Sequence, residues 1–356
     1  MRIFCALLAF LVIEAFIFRS GVYSRILEPS STAGQLVTTL AYEQRRGVHD
    51  PNQVVAVGDS RMALRARIAN ESSVAGGYTF ATISVPGTSP RCWFYMLREV
   101  DPGARRYAAV IIPVNEYEDD DWEDLANRTV DVNYLVPLLR LGDVVEFSTS
   151  FPNWRNRWEA FRGSLLKGWS YRRDFQELLA HSEQRMNDVK WVRENGASAV
   201  YNWVWPDRGV QGLSVDWATK TIHYPADSTA REQEVLRNVL LRPTAPETGK
   251  RAAYRRKWFG KIIRYYRGSR TKVIFLRLPR GPVIRPDMLA GRTSAIREFT
   301  QRREAILVNE HLFDDVERPE LFSDPLHMNG PGSEKFTLLL AAEVRKLLGP
   351  PTALRQ

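Results

Sequence analysis

The stretch Gln53-Val54-Val55-Ala56-Val57-Gly58-Asp59-Ser60-Arg61 decides how the rest of this 356-residue chain is read. Val54 to Val57 is a continuous, largely β-branched apolar run, the pattern of a strand covered on both faces in a parallel sheet. Gly58 permits a tight exit from that strand, and Arg61 to Ala69 reads as a helix. Outward from it, Tyr78 to Val85 predicts a second strand ending at Pro86-Gly87, Arg91 to Val100 a helix, and Tyr107 to Val114 a third continuous strand. Apolar strands separated by helical stretches are βαβ units around a buried parallel sheet.

The rhythm stops after Asn115 and resumes with a strand at Lys272 to Leu278, a helix near Thr293 to Asn309, a short strand at Leu312 to Val316 and a last helix at Ser333 to Leu348. In that last helix Phe336, Leu339, Leu340, Ala341, Val344, Leu347 and Leu348 fall on one face. The expectation is an α/β fold whose core is discontinuous, residues 53–115 and 257–349, with a long insertion, 116–256, after the third strand. A polar, partly helical connector, 21–52, precedes the core.

Residues 1–20 are of a different kind. Arg2 and Arg19 bracket Ile3 to Phe18, apolar except for Glu14. At ~1.5 Å per residue the run is a little short for a bilayer core of about 30 Å. A cleaved signal peptide lacks a small-x-small site after Phe18, and a buried soluble helix is the plainer alternative. The position favours an uncleaved signal anchor, a single transmembrane helix that leaves the remainder outside the cytoplasm, periplasmic or extracellular.

Lys and Arg number 50 against 41 Asp and Glu, a formal charge of +9. A basic surface favours anionic partners such as lipid headgroups or acidic glycans. No zinc-ligand spacing or RNA-binding signature supports nucleic acid. Cys5 lies in the apolar segment, so a disulfide with Cys92 is not expected, and the sequence offers no metal site. The acidic run Glu116, Glu118, Asp119, Asp120, Asp121 reads as a solvated loop or a helix start before it reads as a calcium site.

The chemistry-bearing residues sit at strand ends. Ser60 follows the first strand, at the sheet edge where open α/β sheets bind ligands, and a helix starting there would add its free N–H groups. A serine nucleophile needs a base. Of five histidines, His327 lies in Ser323-Asp324-Pro325-Leu326-His327-Met328-Asn329-Gly330, entering the last helix. Asp324, three residues earlier, can reach one imidazole nitrogen and fix its tautomer. Asn115, at the end of the third strand, and Gly87, after the second, can join the Ser60 N–H as donors to an oxyanion. Each feature alone is equally a turn or a cap; their joint order is what argues for function.

That order resembles the SGNH (GDSL-type) hydrolases, whose four blocks supply Ser, Gly, Asn and His in turn, with Asp three residues before His. Here these are Ser60 in Gly58-Asp59-Ser60, Gly87, Asn115, and Asp324 with His327. Pro113 and Glu116 depart from the family's third block. The resemblance implies a three-layer flavodoxin-like α/β fold, a Ser60–His327–Asp324 triad, an oxyanion hole of Ser60, Gly87 and Asn115, and no cofactor. It also implies an esterase or an O-acyltransferase. The anchor resembles accessory proteins of envelope-glycan acylation, which implies a membrane-bound O-acyltransferase partner. The other readings are a lipase or carboxylesterase whose insertion is a lid, and an inactive tethered glycan-binding protein. Trp154, Trp158, Trp169, Tyr171, Trp191, Trp203, Trp205 and Trp217, with Arg155, Arg157, Arg172 and Arg173, crowd the insertion. They read either as a cradle for a glycan or acyl chain, or as the insertion's own core.

Overall fold

The structure is a computed structural model, and it describes residues 2–46, 50–114, 125–195, 209–242, 249–285 and 294–352. The strands are β1 (Gln53–Ala56), β2 (Thr79–Thr82), β3 (Ala109–Val114), β4 (Ser214–Asp216), β5 (Thr221–His223), β6 (Lys272–Arg277) and β7 (Ile306–Leu307). The first helices are α1 (Arg2–Arg19), α2 (Thr32–Arg45), α3 (Ala66–Glu71) and α4 (Pro90–Val100). The region after β3 supplies α5 (Val130–Leu135), α6 (Val144–Thr149), α7 (Trp154–Leu165), α8 (Lys167–Ala180), α9 (Ser182–Asn195) and α10 (Ala230–Leu240). The last three are α11 (Gly249–Tyr266), α12 (Ser294–Gln301) and α13 (Gly330–Leu348).

These elements form two compact units. The sheet unit gathers residues 48–87, 101–122 and 203–356. Its five strands are all parallel, in the order β2-β1-β3-β6-β7, the doubly wound order of flavodoxin-like folds. The chain steps from β1 to β2 on one side and returns to β3 on the other, so the strand order reverses at β1 and β3. The register of β3 on β6 runs from Ala109↔Lys272 to Val114↔Arg277.

The core follows from strand alternation. Val54, Ala56, Phe80, Ala109, Ile111, Ile274 and Leu276 pack with Phe336, Leu340, Ala341 and Val344 of α13. Phe275, pointing to the opposite face, meets Phe259 of α11 edge-on with ring centroids 5.2 Å apart. Asn329 caps α13 by accepting from the Gly332 N–H, and Pro331 sits in its first turn, so the helix starts earlier than the apolar spacing alone indicates.

The end of the sheet departs from expectation. The helix foreseen to Asn309 stops at Gln301, and the last strand is β7 rather than Leu312 to Val316. Arg303 takes a left-handed φ of 58°. Glu304 N–H then donates to Phe299 C=O and Arg303 N–H to Thr300 C=O, the paired bonds of a Schellman stop. The chain is thereby freed for Ile306 and Leu307 to pair with Ile274 and Phe275. Asp314–Val316 is a 3-10 turn whose Val316 is buried.

The helical unit gathers residues 1–47, 88–100 and 123–202. Among the described residues no helix, α1 included, is long and apolar enough to cross a membrane. Glu14, within the expected span, is buried and accepts the Gly168 N–H at 3.0 Å. Arg19 donates to the carbonyls of Ser164 and Leu165 at 2.7 and 2.5 Å, and Phe18 packs on Tyr23, Tyr171 and Phe175. The last turns of α1 are therefore fastened to α7 and α8, while Arg2 to Ile13 stand exposed on every side.

The region 116–256, which shows no strand alternation in sequence, holds helices and one antiparallel hairpin, β4–β5. Its aromatics divide. Trp154, Trp158, Trp169 and Trp191 are exposed, Tyr171 is buried, Trp217 is half-buried, and Trp203 and Trp205 lie outside the described residues. The guanidinium groups of Arg162 and Arg172 stand 4.2 and 4.8 Å from the Trp169 ring centre.

Candidate active site

Ser60 leaves β1 at the carboxyl edge of the sheet. The strand's pairing continues past its end, since Val57 N–H donates to Ile111 C=O and Val85 N–H to Gly58 C=O. Gly58 is required by close approach: a Cβ there would stand 2.7 Å from Met62 Cβ and 3.1 Å from Pro113 Cγ. The chain then turns, with Met62 N–H donating to Asp59 C=O. The helix expected at Arg61 does not begin until Ala66, so no helix N-terminus abuts Ser60. The reason is tertiary: Met62 and Leu64, two residues apart, are both buried in the sheet's core, which holds the segment extended.

From 267 residues further along the chain, His327 reaches Ser60, with Nε2 2.8 Å from Oγ. Its Nδ1 lies 2.7 Å from Asp324 Oδ2. The other oxygen, Asp324 Oδ1, accepts the N–H groups of Leu326 and His327 at 2.7 and 2.8 Å. Burial alone would push the Asp324 carboxyl up, but the His327 bond and charge and the two backbone donors outweigh it and hold the group below the ordinary carboxylate range. An ionised Asp324 fixes the proton on Nδ1 and leaves Nε2 free to accept from the Ser60 hydroxyl.

The loop that carries the pair is closed on itself. Ser323 donates through both N–H and Oγ to His327 C=O at 2.8 and 3.0 Å, Asn329 N–H donates to Leu321 C=O, and Phe322 bridges Met328. Gly209 backs it, since a Cβ there would stand 2.3 Å from Phe322 O. Arg277, which is buried, and Arg280, whose side chain is covered, bind Glu317 and Asp314, clamping the segment before the loop to the end of β6.

A second histidine–aspartate pair shows what is particular here. His311 Nδ1 is 2.8 Å from Asp314 Oδ2 at the same three-residue spacing, yet its side chain is 66% exposed and among the described residues no serine is bonded to it. The His327 side chain is 20% exposed and Asp324 3%.

Gly87 sits in a turn two residues past Val85, with φ +71°, a conformation that favours glycine. Asn115 lies outside the described residues, as does the acidic run at 116–121; Val114, just before it, pairs with Arg277 at the same sheet edge.

Two neighbours of the serine escaped the sequence reading. Asp59 is buried and Arg61 binds it through its backbone N–H at 2.9 Å and through NH2 at 2.5 Å. Burial raises the Asp59 carboxyl, but the charge and bonds of Arg61, with His327 adding to them, bring it below its ordinary value. The signal was the Asp-Ser-Arg spacing itself, in which a turn lets residue i accept from the N–H of i+2. Among the described residues no cluster of His, Cys, Asp and Glu is built to hold a metal ion.

No protein-family model matches the chain, and the searches found neither a similar curated protein nor a similar solved structure.

Proposed function

We propose that this protein is a serine acyl-transfer enzyme of the SGNH type, acting on esters of a cell-envelope glycan outside the cytoplasm. One observation carries the reading: the unbroken line Ser60 Oγ, His327 Nε2, His327 Nδ1, Asp324 Oδ2, with spacings of 2.8 and 2.7 Å. In the proposed reaction Ser60 Oγ attacks the ester carbonyl carbon while its proton passes to Nε2. The carbonyl π pair moves to oxygen, where the N–H groups of Ser60 and Gly87 and the Asn115 amide hold it. Collapse of that intermediate breaks the bond to the leaving alcohol, which takes the proton back from Nε2. Water, or a sugar hydroxyl, then gives its proton to Nε2 and attacks the acyl carbon; collapse breaks the bond to Ser60 Oγ, which takes that proton, and frees the acid in an esterase or the acylated sugar in a transferase. None of these steps calls for a cofactor.

Exposed tryptophans give the helical unit, taken by itself, a surface suited to sugars, and Arg65, exposed beside Gly330 in the sheet unit, favours an anionic acceptor. The all-round exposure of Arg2 to Ile13 supports membrane attachment, because a helix apolar on every side belongs in lipid or in a protein core. These twelve residues reach about 18 Å. A membrane-bound O-acyltransferase is the proposed partner at that site.

Fluorophosphonate labelling tests the chemistry. The wild type is expected to label and Ser60→Ala not, with ester turnover falling roughly 10⁴- to 10⁶-fold and the melting temperature unchanged. A labelled Ser60→Ala, or an inert wild type, would refute the proposal; the inert result favours a tethered glycan-binding protein. Acetyl and longer acyl nitrophenyl esters, with and without a glycan acceptor, separate a transferase from a lidded lipase.

A further inference from the structure

The helical unit contains a cavity that the proposed chemistry does not use. It lies among the 3-10 turn Tyr23–Ile26, α2 and α9, and encloses about 350 Å³, within the range of small-ligand sites. Leu27, Val37 and Val192 give it an apolar floor, and Arg25, Arg45 and Arg193 also line it. All three arginines are exposed, and the described lining includes no Asp or Glu.

Asp188 and Glu194 of α9 are not among the lining residues, and three other acids of the unit are bound to arginines outside it. Glu28 and Asp174 both bind Arg185, at 2.8 and 3.0 Å, and Glu43 pairs with Arg46 at 3.7 Å. Among the described residues Arg45 spends only its Nε–H, on Ala41 C=O at 3.3 Å. Arg45 and Arg193 stand in the last turns of α2 and α9, where a cation favours the helix dipole. That accounts for each alone, and not for their convergence with Arg25 over an apolar floor.

We propose that this cavity seats the phosphate headgroup of an anionic membrane lipid, an inference that rests on the membrane attachment of α1 proposed above. The location fits. Tyr23 packs on Phe18 of α1 with ring centroids 4.8 Å apart, and the next two residues, Ser24 and Arg25, are already cavity wall. The chemistry fits as well: a phosphodiester presents two anionic oxygens to guanidinium forks, and the glycerol and first acyl carbons cover the floor. A glycan carboxylate would meet the same cations and leave the apolar floor bare.

The test is flotation of the full chain with phosphatidylcholine vesicles, with or without phosphatidylglycerol. Phosphatidylglycerol is expected to tighten binding. The triple variant Arg25→Gln/Arg45→Gln/Arg193→Gln should lose about fivefold per guanidinium removed. Ala41→Trp, which fills the cavity and keeps every charge, should lose the same preference, with circular dichroism confirming that both variants fold. A preference that survives Ala41→Trp overturns the proposal in favour of diffuse surface charge. Full competition by soluble glycerol phosphate overturns the lipid as occupant. Equal binding to both vesicles overturns the cavity while leaving membrane attachment standing, whereas binding to neither sinks the attachment and the cavity with it.

Discussion

Asp324 beside the serine and Asp131 in the helical unit are both buried, and both have a cationic or protonatable partner, yet they end on opposite sides of the ordinary carboxylate value. Asp324 spreads its bonds over two oxygens: His327 Nδ1 on Oδ2, and two backbone N–H groups on Oδ1. Asp131 receives Ser89 Oγ at 2.7 Å and Arg91 NH1 at 3.2 Å on the same oxygen, Oδ2. Both members of that ion pair are fully buried. Burial dominates at Asp131 and raises it despite Arg91 and Ser89, whereas at Asp324 the donors win. Donors on both oxygens keep Asp324 charged, whereas at the more deeply buried Asp131 the charges of Arg91 and Arg128 and the bonds from Ser89 and Cys92 leave burial in command. The first arrangement suits a group that must stay charged to orient an imidazole. The second fits a packing role, with Arg91 donating to Ala126 C=O and lying 3.8 Å from the Phe151 ring centre.

The widest break between the two should come in activity. Asp324→Asn is expected to lower ester turnover by about 10⁴-fold, because an amide cannot hold the productive imidazole tautomer, while the melting temperature moves by only a few degrees. Steady-state kinetics on a chromogenic ester check this, and a loss under tenfold would remove Asp324 from the proposed relay.

Asp131→Ala should do the reverse. Stranding Arg91 in the interior is expected to cost about 3–5 kcal/mol, read by urea unfolding, with turnover per folded molecule unchanged. Replacing both partners, Arg91→Met with Asp131→Leu, should recover most of that loss, since an apolar pair of similar volume generally matches or exceeds a buried ion pair. If the double variant is as unstable as Asp131→Ala, the pair holds the unit together in a way that packing cannot replace.

The sheet and the Asp324–His327 pairing were legible in the sequence because their signals are local, whereas the match of Ser60 to His327 came from the order of the strand-end residues and the resemblance it carries. Val54 to Val57 and Lys272 to Leu278 announce buried strands by composition, and Asp324 stands three residues from His327. What escaped depends on contacts between distant residues or on an unusual residue type. Arg303 ends α12 in a left-handed conformation that glycine usually marks, so the helix was overrun and β7 was missed. Burial of Met62 and Leu64 holds the chain after Ser60 extended, against a pattern that reads as helix. Arg91 and Asp131 meet across 40 residues, as do Arg277 and Glu317, and no local period encodes either pair. Glu14 interrupts an apolar segment because its carboxylate accepts the Gly168 N–H, 154 residues away.

The subtlest difference between the two aspartates should appear in acid. Asp324, held below its unfolded value of ~3.9, contributes stability that is present above that value and is lost as pH falls through the folded one. Asp131 is raised, so its fold binds the proton more tightly than the unfolded chain does; its penalty applies at higher pH and is relieved as pH falls through the raised value. Asparagine does not titrate, so subtracting each Asp→Asn variant from the wild type isolates one carboxyl. On acidification the wild-type advantage over Asp324→Asn should shrink below about pH 4, while its standing relative to Asp131→Asn should improve as pH falls through the raised Asp131 value. Urea unfolding across that range reads both differences. Curves that move in the same direction would mean that bond distribution does not set the charge preference of these two groups, and the contrast drawn between them would fail.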